Sequence, residues 1–212
     1  MTSKRLDVRK THKLFIGGSF PRSESGRTFR WESPDGAVAN ICRASRKDFR
    51  DAVTASRGAF RGWTGRTSYN RAQILYRCAE MLEGRSSQFH DELRLQGASP
   101  SAARKEVARA IDLLIYYAGW ADKYGQIFSR VNPVAAPYFN FTVPEATGVV
   151  AVFAPSESGL LGLLAALTPV ITGGNTCVVL AARDHPLCTV SLAETLHTAD
   201  LPAGVVNLLT GF

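Results

Sequence analysis

The stretch GVVAVFAPSESGLLGLLAALTPVITGGNTCVVLAARDHPLCTVSLAETLHTADLPAGVVNLLTG, Gly148 to Gly211, decides the fold. It holds three short aliphatic runs, Val149–Phe153, Cys177–Leu180 and Val205–Leu209, separated by two segments of helical length. Short apolar runs alternating with helical lengths spell βαβ crossovers and a parallel sheet. Parallel strands are covered on both faces, so they read as unbroken Val, Leu and Ile runs, as these three do. Ser158–Ala182 carries no charged residue, which is long enough to suggest a membrane span. Pro169 and then Gly173-Gly174-Asn175 interrupt it, ending a helix and turning the chain. A buried core helix is expected there, and no membrane segment.

In an open α/β sheet, ligands sit beyond the carboxyl ends of the strands, where helix N-termini favour anions. Ala154–Gly159 after the first strand and Ala181–His185 after the second are therefore the expected binding edge. No GxGxxG occurs, so the usual dinucleotide fingerprint is absent. His185-Pro186 opens the next helix, with proline at a comfortable first position. No Ser or Cys partner is indicated that would make His185 a catalytic base. His197 falls late in that helix, where a cation suits the dipole.

Working outward, Tyr138–Val143 (YFNFTV) alternates aromatic and polar residues like a half-exposed strand, behind a connection over Asn132–Pro137. Further upstream lie helices. Ser45 and Asp48 form a capping-box pair opening a helix to about Gly62, with Phe49, Ala52, Val53 and Phe60 inward. Others are expected over Ser68–Leu82, Ser87–Leu95 and from Ser101 towards Ile127. Cys78 lies on an apolar face and reads as core, and His90 as a surface residue. At the N-terminal side, Lys13–Ser19 with a Gly17-Gly18 turn, Thr28–Trp31 and Val38–Cys42 around Pro34-Asp35-Gly36 read as a β-hairpin or meander.

Of the 212 residues, positions 1–130 hold 24 Lys and Arg against 13 Asp and Glu, whereas 131–212 hold one Arg against five acids. The basic residues are scattered at helical spacing with no aromatic interleaving or binding motif, so nucleic acid is not an expected partner. Cys42, Cys78, Cys177 and Cys188 show no metal-ligand spacing, and no metal is expected. MTSKRLDVRK is followed by no apolar h-region. A secretory signal is thus not read, and free thiols point to a cytoplasmic setting.

The order KLFIGGSF, SGRTF, SPDGAVAN, DAVTASRGAFRGW, NRAQILYRCAEMLEGR, EVARAIDLLIYYAGWADK, PEATGVVAVFAP, GGNTCVVL and DLPAGVVNLLTG resembles the N-terminal half of the aldehyde dehydrogenase superfamily. The resemblance runs from about Lys13 to the end of the chain. It implies an α/β fold: a partial Rossmann-like parallel sheet with flanking helices, preceded by an N-terminal β-hairpin and helices. The implied organisation is a strand region over 1–44, the helical part of an NAD(P)-binding domain over 45–131, an oligomerisation-type strand over 132–147 and a βαβαβ nucleotide-binding core over 148–212. The implied chemistry is oxidation of an aldehyde to an acid through a cysteine thiohemiacetal, hydride transfer to NAD or NADP, and glutamate-assisted hydrolysis. The catalytic Cys, the hydrolytic Glu and the catalytic domain are expected to lie beyond the matched segment.

The resemblance also implies site residues. Phe153, Ala154, Pro155, Ser156, Leu180, Ala182 and Arg183 take the cofactor-contacting positions. The family's Pro-Trp-Asn appears as Pro155-Ser156-Glu157, so Glu157 stands where an amide stabilises the oxyanion. An ionised carboxylate cannot donate there. The family's Lys-Pro-x-Glu, which holds the adenosine ribose, becomes Leu180-Ala181-Ala182-Arg183, and Arg183 suits a 2′-phosphate or an exposed structural role. None of the four cysteines matches the nucleophile. The chain is therefore expected to be inactive alone. The alternatives are a non-catalytic subunit that forms a homo- or hetero-oligomer with an aldehyde dehydrogenase-like chain, docking by its exposed aromatic strand, or a truncated gene product.

Overall fold

The structure is a computed structural model describing residues 9–212. The first eight residues of the expected N-terminal strand region lie outside the described residues. Strands β1 (Thr11–His12), β2 (Thr28–Glu32) and β3 (Val38–Cys42) form one sheet in the order β1-β3-β2. The β2–β3 pair is an antiparallel hairpin turned at Pro34-Asp35-Gly36, where Gly36 adopts φ 82°, while β1 runs parallel to β3. Five helices follow: α1 (Arg46–Thr64), α2 (Ser68–Gly84), α3 (Ser86–Leu95), α4 (Pro100–Trp120) and α5 (Tyr124–Phe128). A small hairpin, β4 (Arg130–Val131) and β5 (Phe141–Thr142), projects next. The chain closes with β6 (Val149–Phe153), α6 (Leu161–Thr172), β7 (Thr176–Leu180), α7 (Pro186–Thr198) and β8 (Val206–Leu209).

The last three strands are parallel and ordered β6-β7-β8, with Phe153 opposite Leu180 and Leu180 opposite Leu209. The period of two sends their side chains to two cores. Val150, Val152, Cys177, Val179, Val206 and Leu208 join the larger core, built with α2, α3, α4, α6 and α7. Val149, Val178, Leu180 and Leu209 face Ala52 and Val53 of α1. The sheet is thus sandwiched, α1 on one side and the α6/α7 layer on the other.

Local chemistry fixes the helix starts. Ser45 Oγ accepts from the Lys47 and Asp48 amides, and the Asp48 carboxylate accepts from the Ser45 amide at 2.7 Å, a complete capping box. Thr67 caps α2, and Ser99 caps α4 with Pro100 at its first position. Buried polar groups fix how the layers meet. Trp63 Nε1 donates to the Ile171 carbonyl at 3.0 Å. The buried Arg71 guanidinium donates to the carbonyls of Thr172 and Arg66 and to the Tyr124 hydroxyl, satisfying groups left open at helix ends. Asn207 of β8 donates to Ser56 Oγ and the Gly204 carbonyl and accepts from the Gly17 amide, so the Gly17-Gly18 turn is anchored to the sheet.

Several expectations from sequence need correction. Lys13–Ser19 is not a regular strand: Phe15 makes a two-bond antiparallel bridge to Leu208 and Ile16 bridges Ser19. That bridge covers the β8 edge. The helix begun near Ser101 does not reach Ile127 unbroken. It turns at Ala121–Lys123, where the Ala121 amide is shared between the Tyr117 and Ala118 carbonyls, and Tyr124 swings round to meet Arg71. Only Phe141–Thr142 of the expected Tyr138–Val143 strand is paired. Phe49, expected inward on α1, is half exposed. β6 is not covered on both faces, for Ala151 and Phe153 are exposed.

Candidate functional site

The carboxyl ends of β6, β7 and β8 open onto one edge, and the two crossover loops stand over it. The backbone keeps the loops close. The Ala154 amide donates to the Leu180 carbonyl at 2.9 Å and the Ala181 amide to the Leu209 carbonyl at 2.8 Å. A Cβ on Gly159 would stand 3.2 Å from His185 Cβ and one on Gly162 only 2.6 Å from Pro155 Cγ. Glycine at both positions lets the β6 loop fold down onto its own helix and onto the β7 loop.

The helix N-termini at this edge, expected from sequence to favour anions, each meet a side chain from a distant helix. Glu106 of α4 places Oε1 at the start of α6, accepting from Ser158 Oγ at 2.8 Å, the Leu160 amide at 2.8 Å and the Leu161 amide at 3.1 Å. Ser158 Oγ in turn accepts from the Gly162 amide at 3.1 Å. A carboxylate at that end is what the dipole and the unpaired amides favour. At α7, Gln96 Oε1 accepts from the Leu187 amide at 3.1 Å while Gln96 Nε2 donates to Cys188 Sγ at 3.1 Å. Sequence pattern missed Glu106 and Gln96 because each reaches its loop from a distant helix. No local spacing marks them.

The residues at the expected cofactor positions fall into three environments. Phe153 and Leu180 line an apolar groove of about 360 Å³ on the α1 side, with Phe49, Val178, Leu209 and Phe212. Pro155 and Ala154 are half-buried in the folded-down loop, while Ser156 and Glu157 are exposed. Ala182 is buried, and exposed Arg183 borders a second cavity of about 310 Å³ with Phe29, Trp31, Gln96 and His185. Trp31 Nε1 donates to the Asp184 carbonyl at 3.2 Å and holds that loop. The Leu180 side chain has no hydrogen-bonding group and Arg183 offers donors only, so this pair supplies no side-chain acceptor for a ribose hydroxyl.

None of the cysteines is exposed as a nucleophile. All four are buried and unpaired. Burial pushes the thiols of Cys78 and Cys177 up to about 12. Burial, then the nearby Glu92 carboxylate, raises Cys188 well above the ordinary thiol range despite the Gln96 hydrogen bond. A thiol so held stays protonated and unreactive at neutral pH. His185 packs on Gly159, and its buried Nδ1 has no hydrogen-bond partner. His197 touches Phe15 and Phe20 edge-on at the far end of α7. Among the described residues no cluster of His, Cys, Asp or Glu is arranged to hold a metal, and no helix is long and apolar enough to cross a membrane.

Comparison with known proteins gives this edge a lineage. The chain is 32% identical to the putative aldehyde dehydrogenase DhaS of Bacillus subtilis, over 99% of this chain and 43% of that protein. It is 33% identical to retinal dehydrogenase 2 of Gallus gallus, over 98% of this chain and 40% of that one. The fold superposes on an aldehyde dehydrogenase from Bacillus cereus solved as an NAD+ complex, with a TM-score of 0.91 and 30% identity, over 96% of this chain and 42% of that structure. The chain thus spans about two fifths of the length of these relatives. The sequence profile of the aldehyde dehydrogenase family matches residues 22–212. With profile, relatives and superposed fold in agreement over almost all of its length, the chain belongs to the aldehyde dehydrogenase family.

Proposed function

We propose that this chain is the cofactor-side scaffold of an NAD(P)-dependent, aldehyde-oxidising enzyme and that it does not turn over aldehyde by itself. One observation carries the reading: every cysteine it contains is buried. A thiohemiacetal needs an accessible thiolate. The replacements at the edge point the same way. Glu157 is an exposed carboxylate at the position where the family has an oxyanion-binding amide, and Leu180 and Arg183 stand where the family has its ribose-binding pair. All four thiols being unpaired supports a reducing compartment such as the cytoplasm. The test is NAD(P)H formation by the purified 212-residue protein with short, branched and aromatic aldehydes. No formation above the protein-free rate is expected, and turnover that disappears when one of the four cysteines is replaced would overturn the reading.

A second observation favours a partner subunit. Val131, Phe141 and Val143 are exposed on and beside the β4–β5 hairpin, and Tyr138 and Phe139 are 77% and 76% exposed. So many large apolar side chains on a two-stranded hairpin are characteristic of a contact surface. We infer that the hairpin pairs with a like hairpin or with an aldehyde dehydrogenase-like subunit. Sedimentation should show a concentration-dependent oligomer that Phe139→Ser with Phe141→Ser dissociates without loss of helical signal. A monomer at all concentrations, or an oligomer indifferent to both changes, would count against it.

A further inference from the structure

Helix α1 carries one pattern twice. Arg46-Lys47-Asp48-Phe49-Arg50 and Arg57-Gly58-Ala59-Phe60-Arg61 repeat the arrangement Arg-x-x-Phe-Arg at an interval of eleven residues. Eleven residues make about three helical turns, so the two sets stand on one face about 16 Å apart. Each set borders a cavity against β6. Arg46 and Phe49 line the groove of about 360 Å³ with Phe153, and Arg57 and Phe60 line a cavity of about 280 Å³ with Gly148 and Val149. The helix thus runs antiparallel to β6, with one Arg–Phe pair at each end of the strand.

The strand between the two cavities is an open edge, for among the described residues β6 pairs with β7 alone. The Gly148 carbonyl accepts from the Thr176 amide at 3.1 Å and the Ala154 amide donates to the Leu180 carbonyl at 2.9 Å. Alternate residues of a ladder bond to the same neighbour, so the amides and carbonyls of Val149, Ala151 and Phe153 turn away from β7. The side chains of those three residues lie on the α1 face. A row of backbone partners therefore runs beside an apolar cleft whose two ends are cationic. All four arginines are exposed, and among the described residues none forms an ion pair. Asp48 is committed to the Ser45 cap, Asp51 pairs with Lys47 at 3.4 Å, and exposed Glu145 lines neither cavity. The α-carboxylate of Phe212, at the Arg46 end, sets one negative charge against four positive ones.

We propose that the β6 edge binds an acidic segment of a partner protein as an added strand, with an apolar side chain in the cleft and carboxylates on the arginines at its two ends. Strand addition supplies main-chain hydrogen bonds, and side chains at alternate positions supply the selectivity. Val149 and Phe153 stand about 13 Å apart, so the fitting segment has acids four residues apart with an apolar residue midway. Arginine forks match carboxylates with two bonds at a time. A second copy suits the edge less well, because antiparallel pairing of two β6 strands sets Arg46 of one copy beside Arg57 of the other, where like charges repel. A bilayer offers no hydrogen-bond partner to the backbone row. The surface is separate from the β4–β5 hairpin, and the proposal does not depend on cofactor binding.

The test is fluorescence anisotropy of the 212-residue protein with the labelled peptide TEVVVET and with TKVVVKT, in which lysines replace both acids. Saturable binding of the first and not of the second is expected, weakening as salt rises. The double change Arg46→Glu with Arg57→Glu should weaken the acidic peptide about tenfold or more and admit the lysine peptide, whereas Arg104→Glu on α4 should do neither. Ala151→Pro removes an outward amide without touching the β7 ladder and should also abolish binding. Equal binding of the two peptides, no saturable binding, or binding indifferent to Ala151→Pro overturns the proposal. So does self-association blocked by Ala151→Pro without peptide binding, which assigns the edge to a second copy, or retention on phosphatidylserine vesicles without peptide binding, which assigns it to a lipid surface. The two peptides on the unmodified protein decide the matter even where a variant fails to fold, as circular dichroism would show.

Discussion

Glu106 sits mid-helix on α4, 52 to 55 residues before the groups it holds, and its contacts decide what the loop after β6 can do. Replacing it with alanine leaves the Leu160 and Leu161 amides at the start of α6 without their acceptor. Glu106→Ala is expected to cost about 2 kcal/mol in urea unfolding, with Glu106→Gln much milder because an acceptor oxygen remains. The Asp48 carboxyl gives a pH signature. Burial pushes it up, but hydrogen bonds from Ser23, Ser45 and Glu24 outweigh that and hold it below the usual carboxylate range. A carboxyl lowered by folding stabilises above its unfolded value, and that contribution is lost as pH falls through the folded one. Melting temperature should therefore fall on acidification below the usual carboxylate range, and Asp48→Asn should flatten that part of the profile while lowering stability at neutral pH. The contrast between these acids shows what sequence can reveal. The Ser45–Asp48 box was legible because its partners are three residues apart. Glu106 was not, because a carboxylate on an amphipathic helix looks like solvated surface until the fold brings α6 to it.

At the scale of elements, the βαβαβ core was the most legible part. Each parallel strand appeared as an aliphatic run, and Gly173-Gly174 stood at the end of α6, although the helix runs through Pro169, which was expected to break it. Where the reading missed, tertiary contacts overrode local pattern. Nothing in the run from Ala121 to Lys123 breaks a helix by composition, yet the chain turns there and Tyr124 meets Arg71. The β1 strand is only two residues long and pairs in parallel with a distant strand, a link with no local signature. The contact of α1 with β8 depends on Gly204, whose φ is 86° and where a Cβ would stand 2.6 Å from the Ala55 carbonyl oxygen. Gly204→Ala must strain the left-handed turn and push α1 off the sheet. A loss on the order of 2–3 kcal/mol is expected in chemical denaturation. An effect below a few tenths would show that α1 is not seated as closely as described.

For the whole molecule, the sheet has one closed edge and one open edge. The Phe15 bridge closes β8, whereas β6 pairs among the described residues with β7 alone and leaves Phe153 74% exposed. That asymmetry puts the exposed apolar surface at the same end as the carboxyl edge, beside the groove lined by Phe49 and Phe212. All four thiols are buried. Alkylation of the native protein near neutral pH should therefore be slow at all four cysteines and complete only in denaturant, as read by mass spectrometry. The central claim is the proposal that this chain carries the family scaffold without the reactive chemistry. Its most direct measurement is NAD(P)H formation by the purified 212-residue protein across a panel of aldehydes, with each cysteine replaced in turn. The expected result is no formation above the protein-free rate for any variant. Turnover by the unmodified chain that vanishes with the loss of Cys42, Cys78, Cys177 or Cys188 would contradict it.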